Sequence, residues 1–423
     1  MTASTNRPKA VDLFAGAGGM SLGLEQAGFD VVGAVEYDPV HAATHEFNFP
    51  EATTICASVS ELSAADLCER IGVPMGELDV VVGGPPCQGF SLIGKRAVED
   101  ARNQLVFDFH RLVVGAAAKY FIMENVPGMK IGGQAGLLAE LVRHFTESGY
   151  RCRPVELLTA TDFGVPQLRT RLFLVGARSD VAMPASPVRW TSPTGLELPP
   201  CGTVGDALGD LPEVEEYPEL LERDFVVAKY GEPSEYAARM RGITRAQDDF
   251  SYERVTDSDV LTSSMRTVHT EKSIRRFEAT APGSVEPISR FLRLDPEGYC
   301  NTLRAGTDGK RGAYTSPRPI HPWTPRVITV REAARLHSMP DWFRLHSTKW
   351  HGFRQVGNAV VPNVGRAVAR TLIEALGVRP RVPRRRVALG DPMLLSFTMA
   401  EAADYYGVDP GVVGQRDRPG RRT

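Results

Sequence analysis

The sequence contains no C-x-x-C spacing; its six cysteines (Cys56, Cys68, Cys87, Cys152, Cys201, Cys300) are scattered. That argues against a zinc site or a disulfide framework and fits a reducing compartment, so no metal is expected. No apolar run approaches the roughly 20 residues that cross a membrane. The opening stretch 1–14 has no apolar signal region, so a cytoplasmic protein without membrane contact is expected. An excess of positive charge is also missing. The formal net charge is −2, and a nucleic-acid partner would have to be served by a local patch. Internal repeats are absent too. What remains is a chain of 423 residues, 42% hydrophobic and 24% charged, long enough for two or three domains with a large core.

Residues 9–177 alternate apolar runs with helical stretches. The runs Ala10–Phe14, Val31–Glu36, Asp79–Val82, Tyr120–Met123 and Leu172–Gly176 predict strands of a parallel sheet covered on both faces. After Arg178 proline, glycine and charge become frequent, and periodicity stays weak to about Pro325. Order returns with Ile328–Phe343, which predicts an amphipathic helix stopped by Pro340, and with Val360–Leu376. The expected organisation is an α/β Rossmann-like domain from 1–178 and 326–378. An irregular smaller domain, 179–325, is inserted into it. A basic extension, 379–423, is expected to be partly disordered, with one helix at Met393–Tyr406.

Two sites follow from where strands end, because open α/β sheets bind ligands beyond the carboxyl ends of their strands. Asp12–Gly19 reads DLFAGAGG, a strand, a glycine turn and a helix start. The glycines Gly16, Gly18 and Gly19 do not give G-x-G-x-x-G, so this is not a pyrophosphate cradle. Glu36 ends the next strand, where an acid can accept from both ribose hydroxyls, and Tyr37 offers an aromatic face. Taken alone, the turn serves equally as structure and Glu36 equally as a helix cap. Together they point to a nucleoside cofactor without phosphates, which S-adenosylmethionine satisfies. At the second site, Cys87 in GGPPCQGFS follows one strand, Glu124 in ENVPG another, and Gln167, Arg169 and Arg171 lie in QLRTRLFLVG, where alternation puts them on one face. A lone cysteine is usually a small buried hydrophobe; the three groups at one sheet edge are what suggest chemistry.

These blocks, with TVREAARLHSMPDWF and QVGNAVVPNVG after them, resemble the cytosine-5 DNA methyltransferase family, most closely its bacterial restriction–modification type. The resemblance spans Asp12 to about Leu376. It implies Cys87 as the nucleophile at carbon 6 of cytosine, Glu124 at ring nitrogen 3, and Arg169 holding the base carbonyl with Arg171 in support. It implies S-adenosylmethionine, leaving as S-adenosylhomocysteine, against Phe14, Ala15, Gly16, Gly18, Gly19, Glu36, Tyr37, Ser58, Val59, Pro86, Leu105, Asn358, Ala359 and Val360. Segment 88–105 resembles a loop that closes over a flipped base, with Gln88, Ser91, Lys95 and Arg102 facing double-stranded DNA. One departure stands out: the usual G-D-I is Ala57-Ser58-Val59 here. Ser58 in place of an acid would weaken cofactor binding by roughly 1–2 kcal/mol.

The inserted region corresponds to the family's target-recognition region. Its basic clusters, from Arg239 to Arg276 and from Arg290 to Arg318, read as phosphate and base contacts. Thr302-Leu303-Arg304 matches the lead into the recognition loops, with Arg304 on DNA. A monomer is expected, alongside a cognate restriction endonuclease or defence-system partner. The first alternative is a transfer-RNA cytosine-5 methyltransferase, but that relative's Cys-Phe-Thr string is missing here. The second is a catalytically silent DNA-binding homologue, against which Cys87, Glu124, Arg169 and Arg171 stand.

Overall fold

A computed structural model describes residues 7–86, 101–306 and 318–411. Nine strands and five helices form its first part: β1 (Lys9–Leu13), α1 (Gly19–Ala27), β2 (Asp30–Glu36), α2 (Pro39–Asn48), β3 (Thr53–Cys56), α3 (Ala64–Arg70), β4 (Val80–Gly83), α4 (Ala101–Gly115), β5 (Tyr120–Asn125), α5 (Gly133–Glu147), β6 (Tyr150–Cys152), β7 (Glu156–Thr159), β8 (Gln167–Leu168) and β9 (Thr170–Arg178). The main sheet runs β3-β2-β1-β4-β5-β9-β6, with β7 also on β9. Strands β1 to β5 pair in parallel. The expected all-parallel sheet fails at its far side, where β9 runs antiparallel to β5, β6 and β7.

The apolar runs are continuous because both faces are covered. Val80, Val82, Tyr120 and Ile122 pack under α1 and the helix Pro362–Ala375. Val81, Phe121 and Met123 turn the other way, to Phe109 of α4 and Phe145 of α5. Phe121 stacks on Phe145 with centroids 3.8 Å apart. Strands β3, β6 and β7 were not foreseen from the sequence. They are short and half-exposed, so they lack the apolar signature of the central strands.

The boundary expected at residue 326 falls inside a packed unit. Val330, Ala333, Leu336, Phe343 and Val356 share a core with Val204, Tyr236, Leu294 and Leu303 of the inserted region and with Leu22 and Phe49 of the first. The segment around Pro362–Ala375 returns to the sheet. The expected amphipathic helix over 328–343 is also shorter, Val330–Arg335, and every residue in it is buried. Its arginines bond inward: Arg335 reaches Asp210 at 2.5 Å and Asp341 at 2.7 Å, and Arg331 donates to Phe343 O at 2.9 Å. No polar face is left toward water. Beyond it, Ser338 takes a left-handed turn, φ 59°, ahead of Pro340.

The tail is not a free extension as far as residue 411. Arg386–Ala388 pairs in parallel with Glu253–Val255. Met399–Tyr406 lies on α2, where the Tyr405 and Tyr406 hydroxyls donate to Glu46 at 2.7 and 2.6 Å. The single helix expected over 393–406 breaks into a short turn, Pro392–Leu395, and a helix opened by a Thr398–Glu401 capping box.

Helix α1 packs closely on Pro362–Ala375 at Gly23. A β-carbon there would fall 2.8 Å from the Arg366 nitrogen and the Pro362 oxygen, backbone atoms that cannot step aside. Gly23→Ala is expected to cost about 1–3 kcal/mol of stability, read as a lower urea midpoint at an unchanged slope.

Candidate active site

The sheet's order reverses beside β1, whose neighbours are β2 and β4, so the crevice for a ligand opens beyond Leu13 and Glu36. The three glycines of the turn do different work. A β-carbon on Gly16 (φ +56) would meet nothing within 4 Å among the described residues, while one on Gly18 would sit 2.4 Å from the Phe49 ring and one on Gly19 2.5 Å from Val360 O. Gly16 therefore faces the crevice. Gly18 and Gly19 permit packing, the latter bringing Ala359–Val360 against the turn. Phe14, half-buried, holds a left-handed φ of 60°, a strained backbone of the kind found at binding sites. Ala15, buried, closes the turn by donating to Val35 O at 3.1 Å.

Glu36 is fixed from both sides: Gly16 N–H donates to Oε2 at 2.7 Å and Asp38 N–H to Oε1 at 2.9 Å. Each oxygen keeps a lone pair for a ligand hydroxyl. Tyr37 beside it is 45% exposed. Ser58 is half-buried, its Oγ accepting from Ser60 N–H at 3.3 Å. Val59 is buried, and its carbonyl accepts from Arg111 at 2.8 Å. Pro86 is exposed. Leu105 lies in α4 and packs, like Phe14, against the core under the sheet. Asn358 is exposed and Val360 half-buried, with Ala359 buried between them. An open glycine, an anchored carboxylate and an exposed ring, with no phosphate cradle, suit a nucleoside cofactor.

Beneath the turn lies a network that the sequence reading missed. Ser21 Oγ donates to Asp12 Oδ2 at 2.7 Å and meets His45 Nε2 at 3.0 Å, and His45 Nδ1 meets Thr54 Oγ1 at 3.2 Å. Burial pushes His45 down to about 3, so its ring is neutral. Burial pushes Asp12 up to about 7, against the opposing hydrogen bond from Ser21.

At the catalytic end, the antiparallel direction of β9 brings its first residues to the carboxyl ends of the parallel strands. Glu124 stands opposite Phe173, so Arg171, two residues on, shares its face. Arg171 Nε lies 3.0 Å from Glu124 Oε1. Burial raises the Glu124 pKa, while Arg171 and then Arg169 oppose the rise. A β-carbon on Gly84 would stand 3.2 Å from Glu124 Oε2, so the strand end leading to Cys87 passes directly over the carboxylate. Asn125 Nδ2 pins that segment by donating to Pro85 O at 3.0 Å. Cys87, Gln88, Ser91 and Lys95 lie outside the described residues. So does the Arg102 side chain, although its backbone is in the first turn of α4, so the segment 101–105 expected as loop is helical.

The two arginines take separate positions. Arg171, not Arg169, stands against Glu124. Residues 167 to 171 are not one continuous strand, because Arg169 falls between β8 and β9. Arg169 is 2% exposed and donates to Leu303 O at 2.8 Å, Gly357 O at 3.0 Å and Ala359 O at 2.9 Å. Gln167 is buried beside it, donating to Leu336 O at 2.9 Å and accepting from Leu303 N–H at 3.2 Å.

Strand β8 pairs in parallel with Cys300–Asn301, and Thr302 Oγ1 donates to Leu168 O at 2.7 Å. Arg304, exposed, emerges from this ladder. The first basic cluster is largely spoken for inside the protein. Arg254 pairs with Glu25 at 2.8 Å, Arg266 with Glu215, Arg239 with Glu235 at 2.7 Å and Arg241 with Asp210 at 3.7 Å. Arg293 of the second cluster donates to the carbonyls of Phe277, Glu278 and Thr280. These residues are intramolecular fasteners rather than the free phosphate contacts expected. A crevice of about 1050 Å³ lined by Gln26, Trp190, Tyr230, Arg366 and Arg370 lies on the α1 face and contains none of the residues of the sheet edge.

A sheet of this order with a reversed strand beside β5, a nucleoside-type crevice and a carboxylate–guanidinium pair at one edge defines a Rossmann-like methyltransferase. The chain belongs to the C-5 cytosine-specific DNA methylase family, whose sequence profile matches residues 9–374. It is 53% identical over 414 residues to the Type II methyltransferase M.XorII of Xanthomonas oryzae pv. oryzae, covering 98% of this chain and 96% of that one. It is 33% identical to M.AgeI of Thalassovita gelatinovora, covering 87% and 100%. Among solved structures, a candidate DNA modification methyltransferase encoded within a prophage of E. coli is 32% identical. It superimposes with a TM-score of 0.71 over 88% of this chain and 99% of that one. The Dnmt2 methyltransferase of S. pombe, 17% identical with a TM-score of 0.52, shares the fold. The family and its fold imply S-adenosylmethionine as cofactor. No described helix is long and apolar enough to cross a membrane.

The Asp12 network gives a pH prediction. Its folded pKa of about 7 lies above the ordinary 3.8, so the folded chain holds a proton that the unfolded chain has released. The matching stability is full below the lower value and is lost as pH rises through the upper one. Asp12→Asn keeps a hydrogen-bonding side chain and is expected to flatten that decline, measured by thermal melts between about pH 4 and 8.

Proposed function

We propose that the chain methylates carbon 5 of a cytosine flipped out of double-stranded DNA at one short fixed sequence. The observation that carries the residue assignment is the Glu124–Arg171 pair, 3.0 Å apart, one strand from the Gly84–Pro86 segment that delivers Cys87. Carbon 5 of cytosine is a poor nucleophile. The Cys87 thiolate adds at carbon 6, forming a C–S bond and sending the ring's electron pair to carbon 5. Glu124, whose pKa burial raises, would hydrogen-bond ring nitrogen 3, and Arg171 would hold both that carboxyl and the base carbonyl. S-adenosylmethionine, when bound, would supply the sulfonium methyl for carbon 5, with S-adenosylhomocysteine as its product. The carbon 5 proton then passes to a base, water among the candidates, and the C–S bond breaks to restore the ring and release the Cys87 thiolate.

Glu36 would accept the ribose hydroxyls, Phe14 and Tyr37 would flank the adenine, and the edge by Asn358 and Val360 would meet the methionine end. Ser58 would give the adenine amino group a weaker acceptor than the family's acid. Gln88, Ser91, Lys95, Arg102 and Arg304 would contact DNA. The relatives' names as Type II methyltransferases support a place beside a cognate restriction endonuclease or within a defence system. The chain would work as a monomer in the cytoplasm.

Base-resolution methylation sequencing of DNA from a methylation-free host expressing the chain is expected to show 5-methylcytosine at one motif. Cys87→Ser is expected to abolish the mark while keeping DNA binding; methylation undiminished in that variant rejects the nucleophile. For the pair, Glu124→Gln is expected to lower kcat by about 100-fold or more with DNA affinity nearly unchanged, in single-turnover kinetics. An equal loss of affinity instead would assign Glu124 to binding.

A further inference from the structure

The Arg169 guanidinium joins two segments far apart in sequence. Leu303, whose carbonyl takes one nitrogen, directly precedes Arg304, the exposed residue at the mouth of the inserted region. Gly357 and Ala359, whose carbonyls take the other nitrogen, bracket Asn358 and lead to Val360, which lies against the cofactor turn at Gly19. The two segments also touch each other: a β-carbon on Gly357 would fall 2.3 Å from Ala305 N. His337 Nε2 shares the Ala359 carbonyl at 3.1 Å, and Gln167 Oε1 holds the Leu303 N–H. Among the described residues the hydrogen-bond partners of this guanidinium are all carbonyl oxygens, so its hydrogen bonds hold backbone in place. A planar fork reaching carbonyls on two chain segments is a geometry that lysine cannot copy.

We propose that Arg169 is a positioning residue that couples DNA engagement at Leu303–Arg304 to cofactor engagement at Ala359–Val360. The inference rests on the reading above that Arg304 faces DNA and Val360 the cofactor. A shift of the recognition lead-in on binding DNA would pull on the same guanidinium that sets the cofactor-side carbonyls, and by reciprocity the cofactor would tighten DNA binding by the same factor. Because Arg171 is two residues away, on the strand that carries it to Glu124, the coupling would also reach the catalytic pair.

The test uses the full chain, S-adenosylhomocysteine, and a duplex carrying the motif found by sequencing. The duplex Kd is measured by fluorescence anisotropy with and without saturating S-adenosylhomocysteine, and the reciprocal titration is done by calorimetry. In the wild type the cofactor product is expected to tighten duplex binding by about 5-fold or more. In Arg169→Lys the ratio is expected to fall close to one, with each separate affinity changed less than the ratio. Gly357→Ala strains the same junction from the other side and is expected to lower the ratio too, which keeps the test open if Arg169→Lys folds poorly. A wild-type ratio of one, or variants that weaken both affinities and keep the wild-type ratio, overturns the coupling. A wild type that binds neither ligand rejects the proposed function itself.

Discussion

The antiparallel pairing of β5 with β9 is the constraint on which the site depends. Parallel strands all deliver their carboxyl ends to one edge, so a parallel β9 would have sent Arg171 to the opposite side of the sheet. Reversal places its amino end there instead, with Arg171 diagonal to Glu124. The same reversal lets the residues just before β9 continue past the sheet as β8 and take up Cys300–Asn301. The Glu124 pair and the contact with the inserted region are thus attached to one short stretch of backbone, residues 167–171.

Around that stretch the protein uses buried arginines as fasteners. Arg326 bridges Glu332 and Glu213 at 2.8 Å each, and Arg335 bridges Asp210 and Asp341. Burial alone would raise the Glu332 pKa, yet Arg326 and His321 hold it down at about 2. Such pairs add little net stability over apolar packing, but removing one partner leaves a buried charge alone. Their geometric demands give the inserted region, which has little regular secondary structure, one arrangement against the catalytic sheet.

The sheet edge was legible in the sequence because its signals are local. Apolar runs mark β1, β2, β4 and β5, and Glu36 and Glu124 stand at the ends of theirs. What was illegible depends on contacts between distant segments. Alternation alone puts Arg169 and Arg171 on one face, and only the break between β8 and β9, fixed by pairing with residues 300–301, separates their roles. The basic clusters looked free because residue type alone does not show which arginine meets a carboxylate: Glu25, the partner of Arg254, lies more than two hundred positions away. The tail looked loose because its strand is three residues long and acquires meaning only beside Glu253–Val255.

Both ends of the described chain hold the inserted region at the same place. Near the amino end, Arg7 donates to Phe250 O at 2.8 Å, and toward the carboxyl end Arg386–Ala388 adds a strand to Glu253–Val255. Residues 250–255 act as a clasp closed by Arg7 and by Arg386–Ala388. The inserted region is therefore fastened at residues 250–255 as well as at its two seams. A chimaera that kept these contacts would have to carry the matching arginine and the strand Arg386–Ala388 together with the inserted region.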